Sequence, residues 1–270
     1  MRLFGAAMRK LLRRPASFIT LGLLIGLLAL IFLAVGATAR QASAAQGGRA
    51  ALLLLTFPGA YTLIISFLLG LGGLFAVIYG AAIAGSEWTW GTLKAAVARG
   101  ESRSRYQLSA FAAIAVLIGI GLLVAFVVGV VVAVIGALIA AVPTAGLGDS
   151  TALGRLPELL GRAWLAVVEE GALGFAIATL ARSQLAGIGA GIAFYFGEQF
   201  ASIFLPDVVK YLPFNAASAV VAVSGEGFGG GGGAAAARLD PNTALLVVVA
   251  WLIGSLVVAA TFTERAEITG

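Results

Sequence analysis

Apolar and polar positions divide the chain into six long apolar runs, 18–38, 57–84, 108–142, 163–181, 185–205 and 243–262. A helix needs about 20 mostly apolar residues to cross the ~30 Å hydrocarbon core of a bilayer. The runs are continuous and rich in Leu, Ala, Val and Gly, unlike the short alternating strands of a membrane β-barrel. The pattern predicts an all-α polytopic membrane protein with six transmembrane helices. The run 108–142 makes a helix of roughly 50 Å at 1.5 Å per residue. It must therefore tilt and project, or break at Gly119, Gly121, Gly129 or Gly136. One span is expected, because two would need a turn without polar residues inside lipid.

The intervals carry the polar chemistry. Residues 1–16 place Arg2, Arg9, Lys10, Arg13 and Arg14 among apolar residues at helical spacing, with no acid. This predicts an amphipathic elbow helix on the membrane surface, with a bend at Pro15. The apolar run that follows is a full span rather than the short core of a cleaved signal peptide. Residues 39–55 begin as a small polar loop. The interval 86–106 is charged and amphipathic, and is suited to docking a soluble partner. Residues 143–162, with Asp149, Arg155, Pro157 and Glu158, read as a polar loop before a fourth span starting at Ala163. Arg182-Ser183-Gln184 makes a turn so short that the fourth and fifth spans form an antiparallel hairpin. The outer segment 206–242 contains a re-entrant or interfacial helix over 215–223, capped by Asn215, and a flexible turn at Gly229–Gly233. Glycine faces at Gly70, Gly72 and Gly73, and at Gly187, Gly189 and Gly191, point to close helix packing.

Composition agrees with the pattern. Hydrophobic residues make up 61% of the chain and charged residues 11%, with a mean hydropathy of +1.06. The absence of cysteine and histidine removes disulfides, thiolate or imidazole metal sites and His-dependent triads, so no metal and no catalytic residue is expected. The net charge of +5 clusters beside apolar runs, which favours anionic lipid headgroups over nucleic acid. With both termini in the cytoplasm, inner segments hold 11 of the 17 basic residues. The positive-inside rule therefore places the termini and the 86–106 loop in the cytoplasm, and 206–242 outside a multi-pass cell-membrane protein.

The order of these parts resembles the permease subunit of ABC-2 type transporters, which share a membrane fold with the ABCG-like exporters. The residues that carry the likeness are Glu87, Gly91, Thr92, Leu93, Lys94, Arg99, Ser102, Arg103 and Arg105, then Arg182-Ser183, then Tyr211 to Ala217. Where that family would place a proline before the Ser/Arg cluster, this chain has Gly100-Glu101. The resemblance implies a coupling helix in 86–106 that seats in a separate ABC ATPase subunit, a second permease copy in a homodimer, and alternating access for an exported substrate. Trp88, Trp90 and Leu93 offer anchors and the charges set orientation. Gly91 reads as a helix break, with Thr92 capping the next helix. No Gly-x-x-x-x-Gly-Lys-Ser/Thr loop is present, so ATP and Mg2+ belong to the partner chain. A different class of function uses the same loop: a non-transporting membrane subunit that relays ATPase motion or senses a ligand.

Glu169 and Glu170 fall inside the fourth run, and Glu198 and Gln199 inside the fifth. An acid within a span costs about 2.5–3.5 kcal/mol unless paired or hydrated. Three readings stand together: the acids line a translocation path, they sit at the outer interface and pair with Arg162, or they form a structural pair with another span. A Glu-Glu pair is also found in CAAX-type intramembrane proteases. That activity is excluded because the Arg of their pattern and their metal-binding histidines are missing.

Overall fold

The computed structural model of the chain describes residues 2–41, 52, 54–221 and 239–266. All regular elements among them are helices: α1 (Arg2–Leu12), α2 (Pro15–Gln41), α3 (Gly59–Thr89), α4 (Thr92–Val97), α5 (Arg103–Ile139), α6 (Ser150–Ala181), α7 (Gln184–Ala201), α8 (Pro206–Val209), α9 (Pro213–Ala219) and α10 (Pro241–Arg265), with a 3-10 turn at Ala145–Gly148. Five helices, α2, α3, α5, α6 and α10, are long and apolar enough to cross a membrane. The chain has the architecture of a multi-pass membrane protein.

The predicted fifth run takes a different form. Helix α7 has 18 residues, ends at Ala201, and carries Gln184, Glu198 and Gln199. These polar residues lower its apolar character below that of the other five. Residues 202–205 leave the helix as a turn with Ile203, Phe204 and Leu205 exposed.

Helices α3 and α6 form the centre, and α2, α5, α7 and α10 pack around them. Small residues make this possible, because apolar side chains gain little from leaving lipid and close backbone approach must supply the attraction. A Cβ on Gly80 of α3 would lie 2.1 Å from the Gly171 carbonyl oxygen, and one on Gly174 of α6 would lie 2.1 Å from the Val77 carbonyl oxygen. Helices α2 and α5 cross in the same way at Gly36 and Gly136. Of the glycine faces expected to pack closely, Gly73, Gly187 and Gly191 do so. Gly72 has only ordinary contacts and Gly189 faces open space.

Several expected boundaries shift. The 143–162 interval is a loop only as far as Asp149: α6 begins at Ser150, capped by Asp149 Oδ1, which accepts from the Ala152 N–H at 2.9 Å. Pro157 lies within that helix. The cap outweighs the proline, which read as a loop signal in sequence. Helix α5 is unbroken across all four glycines. The helix expected over 215–223 spans Pro213–Ala219 instead, with Leu212 at its cap position and Asn215 inside its first turn. Proline at the first helical position explains the earlier start. Most of the 39–55 loop and the Gly229–Gly233 run lie outside the described residues.

Candidate functional site

Helix α3 continues past Ala84 to Thr89, so Glu87 sits on its last turns rather than in a loop. Its side chain is 2% exposed. The carboxylate accepts from Lys10 Nζ at 2.5 Å and from the Tyr106 hydroxyl at 2.7 Å, and also from the Thr92 hydroxyl. Arg14 Nη2 lies 3.7 Å away, and Arg14 Nη1 donates to Ser86 Oγ at 2.7 Å. One buried anion thus joins α1, the α1–α2 junction, α3, α4 and α5. Charge-assisted hydrogen bonds of this kind are about twice as strong as neutral ones.

Gly91 makes the bend that brings Thr92 back to Glu87. Its φ of +66° is in the left-handed region, where glycine alone is unstrained. It holds the cap position of α4, and Thr92 is the first helical residue rather than the cap. Leu93 and Ala96 then turn inward, 1% and 2% exposed. Leu93 is therefore a core residue and not an anchor for a partner. Trp88 is half-buried, whereas Trp90, Lys94, Arg99 and Arg105 are exposed. A cavity of about 510 Å³ lies between α1, α4 and α5, with Lys10, Glu87, Arg99 and Tyr106 in its wall.

A second clasp closes the other side. Arg103 Nη1 donates to the Ala266 carbonyl at 2.7 Å and to the Glu264 carbonyl at 3.2 Å. The Ser104 N–H donates to Glu264 Oε1 at 3.0 Å. Arg182, in the turn between α6 and α7, lies over the Trp88 ring at 5.3 Å and the Phe262 ring at 5.2 Å. The ends of α3, α6 and α10 and the start of α5 therefore meet at one end of the bundle, together with α1 and α4. Sequence reasoning picked out the 86–106 stretch but not its partners. Lys10 and Arg14 read as lipid-facing cations, and nothing in the pattern pointed to Ser86, Tyr106, Phe262 or Glu264.

The buried acids form a separate group. Glu169 and Glu170 are 0% and 1% exposed and lie about 29 Å along α6 from Ser150, at 1.5 Å per residue. They do not sit at an interface with Arg162. That arginine instead pairs with Glu158 at 2.8 Å and donates to Asn242 Oδ1 at 3.0 Å. Neither oxygen of Glu169, nor Oε2 of Glu170, has a hydrogen-bond partner among the described residues. The Glu170 carboxyl lies directly over Gly73, where a Cβ would fall 1.9 Å from Oε2. Glu198 is near enough to interact electrostatically with both. It is itself engaged, accepting from the backbone N–H of Phe214 and Asn215 and from Asn215 Nδ2 at 2.8 Å. Asn215 is thus a donor to Glu198, and Glu198 holds the start of α9 against α7. Gln199 is half-buried beside it. No group of three or more His, Cys, Asp or Glu among the described residues is placed to hold a metal ion.

Compared with known proteins, the chain matches no family model and no curated protein.

Proposed function

We propose that this chain is the membrane subunit of an ATP-driven exporter, with ATP and Mg2+ handled by a separate ABC ATPase subunit. The observation that supports it is the fastening of the 86–106 stretch on both sides. A loop that only joins two spans needs no such anchorage. A loop that transmits force does, because motion applied to α4 must reach several helices at once. Glu87 carries that motion to α1, α3 and α5, and Arg103 carries it to α10. Trp90, Lys94, Arg99 and Arg105 present the outward face that an ATPase cleft would meet: exposed cations, and an exposed aromatic with Arg14 over its ring at 4.8 Å.

We count α7 as the sixth span. Helices α6 and α10 both end beside Trp88, so the stretch between them must return the chain to the opposite end; α7 makes the first part of that return, and Val220, after α9, lies at Arg162 near the start of α10. Six spans and one drive point per chain make a half-transporter, which a twofold homodimer completes. Transport then proceeds by alternating access, with both termini and α4 in the cytoplasm and α9 outside. Glu169, whose oxygens have no hydrogen-bond partner among the described residues, is the group in the bundle best suited to meet a cationic or polar part of the substrate.

Co-expression with ABC ATPase subunits of the same genome tests the docking face. Purification through the membrane chain is expected to retain an ATPase in a 2:2 complex, and Trp90→Ala with Arg99→Ala is expected to release it. If no ATPase co-purifies with the native chain, or the double variant holds it equally well, the reading fails.

A further inference from the structure

We infer that the cleft between α2, α3 and α5 is a binding site for one anionic phospholipid of the leaflet on the α1 side. The cleft, of about 200 Å³, is lined by Phe18, Leu21, Gly72, Phe75, Gly121 and Val167, among others. Its rim residues Phe18 and Ile120 are 62% and 52% exposed on the lipid-facing surface. Its floor reaches the centre of the bundle, at Leu68, Ala76 and Val167. It is therefore a lateral opening from the bilayer into the core.

The wall chemistry selects the occupant. The three hydroxyls in the lining are already used. Ser17 Oγ bonds the Leu11 carbonyl and, at 2.8 Å, the Tyr79 hydroxyl, while Thr20 Oγ1 donates to the Ala16 carbonyl. Water needs two to four polar partners to occupy a cavity, and here it would find few. A polar ligand fares no better, whereas a hydrocarbon chain loses nothing. Along α3 the lining runs from Leu68 to Tyr79, about 17 Å at 1.5 Å per residue. That matches one leaflet, half of the ~30 Å hydrocarbon core. The volume takes a stretch of one acyl chain and leaves the second chain in the bilayer.

The headgroup end is set by charge. Leu12 closes the cleft at the α1–α2 junction, and Arg13 follows it. Lys10 and Arg14 are committed to Glu87 and Ser86. Arg13 is exposed, and among the described residues its guanidinium has no ion pair or hydrogen bond through its side chain. As the basic residue adjoining Leu12 in the chain, it is the cation we assign to the phosphate of a lipid whose acyl chain enters the cleft. The site does not depend on the transport reading.

Native mass spectrometry of the full chain in detergent, titrated with phosphatidylglycerol or phosphatidylcholine of equal chain length, tests the assignment. The expected result is one phosphatidylglycerol bound per chain in preference to phosphatidylcholine. Arg13→Ala should weaken phosphatidylglycerol about fivefold, the effect of one cation near an anionic surface, and leave phosphatidylcholine unchanged. Gly121→Leu, which extends into the cleft toward Leu21 (3.6 Å from a Cβ at this position), should weaken both. Equal binding of the two lipids overturns the proposal, as does binding that Arg13→Ala leaves unchanged. Arg13 lies on the surface, so its variant reports even if Gly121→Leu does not fold.

Discussion

Glu87 shows how one residue can be legible in kind and not in role. Its position beside two tryptophans singled it out, because a rule that explains lysine and arginine in a cytoplasmic loop leaves an acid unexplained. Its burial and its bond to Lys10, 77 residues away, are tertiary facts with no local signal. Removing one partner of a buried ion pair strands the other charges, at a cost of about 3–5 kcal/mol. Glu87→Ala is therefore expected to lower the thermal unfolding midpoint in detergent, and Glu87→Gln to lower it less, since the amide oxygen still accepts from Tyr106 and Thr92. Equal effects would mean that the charge alone matters at this position, and that the volume and the bonds to Tyr106 and Thr92 add nothing. Glu169 makes the opposite case. Its carboxyl has no hydrogen-bond partner among the described residues, so Glu169→Gln should raise the midpoint, and a fall would show that the acid is satisfied in the folded bundle. The sequence marked it as an anomaly but left open where α6 begins, and the Asp149 cap decides that.

At the scale of elements, the long apolar helices were readable because lipid demands length and continuity, and both are written in the hydropathy. Element ends were not. Pro157 looked like a loop signal and Asn215 like a cap, yet the Asp149 cap and Pro213 set the actual starts of α6 and α9. Glycine patterns located helix faces but could not say which glycines touch. Gly80 touches backbone, so Gly80→Ala must push α3 and α6 apart and is expected to destabilise by roughly 1–3 kcal/mol. Gly189 faces open space, and Gly189→Ala should be within about 0.5 kcal/mol of native. Chemical or thermal unfolding of the two variants side by side measures the contrast. Similar losses for both would remove the close-packing account of the α3–α6 centre.

For the whole molecule, the broad class was clear from composition and pattern, and the convergence of four helix ends with α1 and α4 at one end of the bundle was not. On the proposed function, that convergence is what would let a basic loop act as a transmission point. The native chain has no cysteine, so single cysteines report sidedness directly. Lys94→Cys should react with an impermeant maleimide only from the cytoplasmic side, and Arg155→Cys only from the outside. The same side for both would break the six-crossing topology. The central claim is that Glu87 and Arg103 pass ATPase motion into the bundle. Its most direct test is ATP hydrolysis by the assembled complex in lipid, native against Glu87→Ala with Arg103→Ala. The account predicts that the double variant still binds its ATPase through Trp90 and Arg99 but hydrolyses ATP at the rate of the isolated ATPase, no longer regulated by the membrane subunit. Hydrolysis identical to that of the native complex would contradict it.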